Sequence, residues 1–91
     1  PPVPLIPAAG GGAMTRGVVM VIGPGGSSAL FFLQGSTPAA TQMTTNTGYT
    51  VVANSVGKTN IYFVGGQYVI QNNTGVSYAY AVYTFLDTVN V

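Results

Sequence analysis

Short runs of β-branched and aromatic residues, five to ten long, recur from Arg16 to Leu86 between clusters of Gly, Pro, Asn and Ser. That alternation is the signature of strands and turns, and no sustained helical period accompanies it. Strands are expected over residues 17–22, 29–34, 49–53, 60–64, 67–72 and 77–86, with an additional one within 41–45. A chain of 91 residues has room for a single modest core. The expected fold is therefore all-β: a small antiparallel β-sandwich or barrel of six or seven strands with an extended, proline-rich N-terminal arm.

The turns carry their own chemistry. Gly65-Gly66 separates two apolar runs and can supply the positive φ angles of a two-residue type I′ hairpin, pairing residues 61–64 with 67–70. Asn72-Asn73-Thr74-Gly75 predicts the reversal that joins the last two strands, because Asn tolerates the left-handed region and Gly occupies it freely. Looser connections are expected over residues 23–28 and from Gly35 to Pro38, and Gly57 reads as part of a hairpin turn between Ser55 and Lys58.

Residues 1–15 form a distinct segment ahead of a single β domain at 16–91. Four of the first seven residues are proline, and Gly10-Gly11-Gly12 follows as a hinge. Proline fixes φ and removes amide donors, so this arm favours polyproline II and is barred from a central strand. Val3, Leu5 and Ile6 give it apolar side chains suited to docking on a neighbouring subunit; the alternative is a tail lying across its own domain. The N-terminus has neither a basic stretch nor an uninterrupted apolar run, so no retained secretory signal is expected, and Pro1 favours an unsecreted chain.

The strands carry more apolar surface than one core needs. In residues 78–86 both alternating faces are apolar or aromatic, and the same holds for 18–22 and 30–33. A strand with one face in water does not read that way. The surplus implies an interface, with Val3, Leu5, Ile6, Phe31, Phe32, Tyr78, Tyr80, Tyr83 and Phe85 as its candidate residues.

Charge is nearly absent. Arg16, Lys58 and Asp87 are the only charged side chains, giving a net charge of +1, whereas a soluble small domain typically carries a net charge of magnitude ~2–8. His, Cys and Glu are missing altogether. General acid–base pairs, catalytic triads and paired-carboxylate chemistry therefore cannot be built within one chain, and no enzymatic activity is expected. A Ser55–Lys58 dyad is the one remaining option, and it falls on a turn with no enclosed pocket. The same composition predicts no metal site and no cofactor. Residues 23–28 are glycine-rich but lack the Lys-Ser/Thr ending of a phosphate loop.

Two basic side chains neutralise at most ~2 phosphates, too few for useful nucleic-acid affinity, so Tyr62, Tyr68, Tyr78, Tyr80 and Tyr83 read as core and interface residues rather than base-stacking platforms. The longest uninterrupted apolar run is residues 18–22, so no membrane span is expected. Asn72-Asn73-Thr74 matches a glycosylation acceptor, which matters only for a secreted chain.

Small size, surplus apolar strand faces and missing chemistry together favour a structural protein of a macromolecular assembly. Its expected partners are copies of itself and a larger protein shell or filament. The preferred form is a virion component, a small phage capsid decoration, cement or minor capsid subunit that homo-oligomerises and assembles in the host cytoplasm. The alternative is a secreted, extracellular filament, pilus or surface-layer subunit. A ligand- or carbohydrate-binding β module ranks third, since such sites usually carry Trp or acidic residues and this chain has no Trp.

Overall fold

A computed structural model describes residues 1–6, 12 and 14–91. Among these described residues eight strands run in the order β1 (Val3–Pro4), β2 (Gly17–Ile22), β3 (Ser28–Gln34), β4 (Ala39–Gln42), β5 (Tyr49–Thr50), β6 (Thr59–Val64), β7 (Gln67–Asn72) and β8 (Ala81–Phe85), with a single 3₁₀ turn at Pro24–Gly26. They form two four-stranded sheets, β1-β7-β6-β5 and β4-β3-β2-β8. The fold is a small β-sandwich. All pairings are antiparallel except the short one between β5 and β6.

The Gly65-Gly66 hairpin forms in the expected register, with Ile61 opposite Ile70 and Val64 opposite Gln67. Both glycines have positive φ, 59° and 83°, which is what a type I′ turn demands. Strands β2 and β7 occupy the predicted residues, while the strand expected within 41–45 lies two residues earlier.

Four expectations about strands and turns are corrected. Tyr49–Thr50 runs parallel to Thr59–Asn60, so Gly57 belongs to a connecting loop and not to a hairpin turn. The strand expected to reach residue 53 stops at Thr50, because side chains capture the backbone that would extend it. Val52 N–H bonds to the Thr50 hydroxyl, and Asn54, in the left-handed region at φ 62°, exchanges hydrogen bonds with the Gln71 amide. At the other end of the chain, residues 77–80 and 86 of the strand expected over 77–86 are not in the ladder. Tyr80 instead places its hydroxyl 2.7 Å from that of Thr59, carrying the chain across from one sheet to the other before β8 begins. Asn72-Asn73-Thr74-Gly75 is thus a crossover: the Asn72 amide bonds to the Val76 carbonyl and accepts from Thr74.

For the N-terminal segment the described residues follow the alternative of a tail lying across its own domain, and docking of Leu5 and Ile6 on a neighbouring subunit is corrected. Val3–Pro4 pairs with β7 as an edge strand, and Leu5 N–H donates to the Tyr68 carbonyl at 3.0 Å. Leu5 and Ile6 are 2% and 5% exposed, packed among Val19, Phe31, Leu33 and Ile61 in the chain's own core. Burial in the core is the better use of two large aliphatic side chains that proline neighbours confine to an extended path. Pro7 and most of the glycine hinge lie outside the described residues.

The core fills the space between the sheets. Val19 and Val21 from β2, Ala29, Phe31 and Leu33 from β3, Ile61 from β6, and Tyr68 and Ile70 from β7 point inward, with Tyr49 closing one end.

Candidate functional site

The alternation of burial along β2 and β3 decides which side chains turn away from the core. Val18, Met20 and Ile22 alternate with buried Val19 and Val21; Leu30 and Phe32 alternate with buried Ala29, Phe31 and Leu33. Strand register aligns these outward residues in rows: Thr41, Phe32, Val18 and Phe85; then Leu30, Met20 and Tyr83; then Ser28, Ile22 and Ala81. The outer face of the β4-β3-β2-β8 sheet is therefore a continuous uncharged surface of aliphatic and aromatic side chains. Phe32, Tyr83 and Phe85 are 44%, 53% and 60% exposed, while Val18, Met20, Ile22 and Leu30 are half-buried by one another.

The opposite sheet differs. Its outward positions on β6 and β7 include Asn60, Gln67 and Gln71 beside Tyr62 and Val69. The residue 51–58 loop covers part of this face, and Asn60, fully buried, donates to the Ser55 carbonyl and the Gln71 side chain. One sheet presents amides under a loop; the other presents an open apolar face. Arg16 and Asp87, one charge of each sign, border the open face beside Phe32 and Phe85, making a polar rim at that end.

Of the nine interface residues expected from sequence, the structure brings Phe32, Tyr83 and Phe85 onto this face. Phe31, Leu5 and Ile6 are corrected to core positions, Phe31 being fully buried against Tyr49. Val3, Tyr78 and Tyr80 cluster elsewhere, around an apolar cleft of about 340 Å³ that Pro4, Leu5, Ile70 and Val82 also line. Val18, Met20, Ile22 and Leu30 are the face residues that the candidate set lacked. Their runs show as apolar on both faces, so the signal was present without the side.

A second cleft, about 180 Å³, lies at the end of the sandwich between Gly23, Ser27, Tyr49, Thr59 and Tyr80. Its hydroxyls are engaged within the fold: Tyr49 donates to the Ser27 carbonyl at 3.1 Å, and Thr59 pairs with Tyr80. Burial pushes the Tyr49 phenol above its ordinary pKa, outweighing the hydrogen bonds that lower it. Small-molecule sites usually enclose ~300–1,000 Å³, so this cleft is small for one. Ser55, half of the conceivable Ser-Lys dyad, donates its hydroxyl to the Val52 carbonyl at 2.8 Å. Among the described residues there is no group of three or more His, Cys, Asp or Glu, and no helix long and apolar enough to cross a membrane.

No protein-family model, curated protein or solved structure matches this chain.

Proposed function

We propose that this chain is a structural subunit of a protein assembly, attached through the outer face of the β4-β3-β2-β8 sheet. The observation that carries the reading is the uncharged row structure Phe32–Val18–Phe85 and Leu30–Met20–Tyr83, a contiguous apolar sheet face comparable in size to the largest patch of a typical monomer, which is often a functional surface. Four strands ~4.8 Å apart and about 17 Å long give a footprint of ~320 Å². At ~25 cal/mol per Å² its burial is worth about 8 kcal/mol, comparable with the ~4–15 kcal/mol that association costs. The face therefore holds a subunit in place only in concert with further contacts, as in a multivalent shell.

One-sidedness favours a cap over a link in a filament. Head-to-tail polymers need two different complementary surfaces, and the amide-rich face of the other sheet does not resemble a partner for this one. The preferred form is accordingly a small virion decoration, cement or minor capsid subunit; an extracellular filament subunit is the alternative. Apolar attachment also makes binding insensitive to salt, since only Arg16 and Asp87 border the face.

Light scattering on fractionated native protein, with negative-stain microscopy of the same material, tests the proposal. Discrete small oligomers support a decoration subunit. Open-ended fibres favour the filament, and a protein that stays monomeric at millimolar concentration and whose outer face binds no other protein overturns both.

A further inference from the structure

A β-sandwich of this kind has four sheet edges, and three of them are blunted. Edge β1 carries Pro4, and because Leu5 N–H bonds to Tyr68, the alternation of an antiparallel ladder turns the Pro4 nitrogen to the free side, where no N–H is left to offer. Edge β5 is two residues long. Edge β4 approaches β6 of the other sheet to within 8 Å between Cα atoms, closer than the ~10 Å of stacked sheets. Edge β8 has none of these devices: Ala81-Val82-Tyr83-Thr84-Phe85 contains neither proline nor charge, and among the described residues β2 is its only strand neighbour.

The phase of the ladder shows which β8 groups are free. Gly23 N–H bonds to the Ser27 carbonyl and Met43 N–H to the Leu30 carbonyl, so Val19 and Val21 turn their peptide groups to β3, while Val18, Met20 and Ile22 turn theirs to β8. Their partners Ala81, Tyr83 and Phe85 answer from β8. Val82 and Thr84 therefore direct N–H and C=O away from the sheet.

We infer that β8 pairs antiparallel with β8 of a second copy of this chain, about a two-fold axis through Tyr83. In that register Val82 of each copy exchanges both hydrogen bonds with Thr84 of the other. The two Tyr83 residues face one another as a non-hydrogen-bonded pair with Cα atoms about 4.5 Å apart, and Phe85 faces Ala81. No charges are opposed. The two outer faces merge into one eight-stranded apolar surface, doubling the footprint available to a shell; this takes from the proposed function only that the outer face is an interface. A five-residue edge in a sheet ~10 Å thick buries on the order of a few hundred Å², well below the ~1,200 Å² of a stable pair, so the contact is weak alone and is best read by trapping.

The absence of cysteine makes the trap clean. Single variants Tyr83→Cys, Ala81→Cys, Phe85→Cys and Phe32→Cys are oxidised mildly and their covalent dimers quantified. Tyr83→Cys is expected to cross-link at least tenfold faster than Phe32→Cys. Ala81→Cys mixed with Phe85→Cys is expected to give the heterodimer, while Ala81→Cys alone does not, its two sulfurs lying on strand positions about 14 Å apart, beyond disulfide reach. Adding Thr84→Pro, which removes an outward N–H and leaves the β2 ladder intact, should abolish the Tyr83→Cys product. Equal trapping at all positions, or a Tyr83→Cys dimer that survives Thr84→Pro, overturns the pairing. Efficient trapping through Phe32→Cys alone overturns it too, but leaves the outer face standing as an interface between copies. Edge trapping together with an outer face that binds nothing keeps the pairing and removes the proposed function.

Discussion

The hydroxyl of Tyr68 lies 2.7 Å from the carbonyl oxygen of Gln34 and donates to it across the sandwich, tying β7 of one sheet to the end of β3 in the other. The same oxygen accepts from the Ala39 N–H at 3.1 Å and lies equally close to the Ala39 carbonyl, so one phenol closes the β3–β4 reversal. The ring is fully buried and meets Phe63 edge-on. Tyr68→Phe keeps that packing and deprives the backbone groups of their partner, so a loss of about 1–3 kcal/mol is expected in urea denaturation.

Burial raises the Tyr68 phenol above its ordinary 10.0, with the backbone hydrogen bonds opposing the shift more weakly, and Tyr49 behaves alike. Above pH 10 the unfolded chain ionises these phenols first and holds fewer protons than the folded one, so stability declines as pH rises from there through the raised folded values. Thermal melts should be flat in this respect through neutral pH and fall above about pH 10. Tyr68→Phe should fall less steeply.

At the β6–β7 turn, an added Cβ meets nothing within 4 Å at either Gly65 or Gly66, so any penalty there is conformational. Gly66→Ala should cost about 1–2 kcal/mol, the penalty of a left-handed L-residue, whereas Gly65→Asn should cost less because Asn visits that region readily. Denaturation midpoints of the two variants check the ordering.

Gly17 at φ 145° opens β2 beside β8, and a Cβ there would collide with the Phe85 carbonyl oxygen and the Leu86 side chain. Backbone cannot yield as a side-chain tip can. Gly17→Ala should therefore pry the end of β8 from β2, seen as faster amide exchange at Tyr83 and Phe85 than at β6.

On the outer face, Phe32→Lys and Phe85→Lys place charges among exposed residues that contribute little to the core. Monomer stability should change by no more than about 0.5–1 kcal/mol, while association through the face should be lost. Parallel denaturation and light scattering separate the two effects. Equal loss of both would tie these residues to folding instead.

Features set by neighbouring residues were legible in the chain. Turn chemistry at Gly65-Gly66 placed the hairpin and its register, because two consecutive positive φ angles leave little choice. The β-branched runs located β2, β3, β6 and β7 to within a residue. The roster of side chains limited the available chemistry, since a chain without His, Cys or Glu cannot assemble the usual acid–base sets. Sidedness was not legible there. In residues 18–22 and 30–33 both alternating sets are apolar, so periodicity marks strands without saying that Val19, Val21 and Phe31 go in while Met20 and Phe32 stay out. That choice depends on which face meets the other sheet, and hence on long-range packing. Long-range packing also drew Leu5 and Ile6 into the core, made Pro4 the guard of an edge, and sent the chain after Asn72 across to the second sheet, where β8 lies at the edge of the described strands.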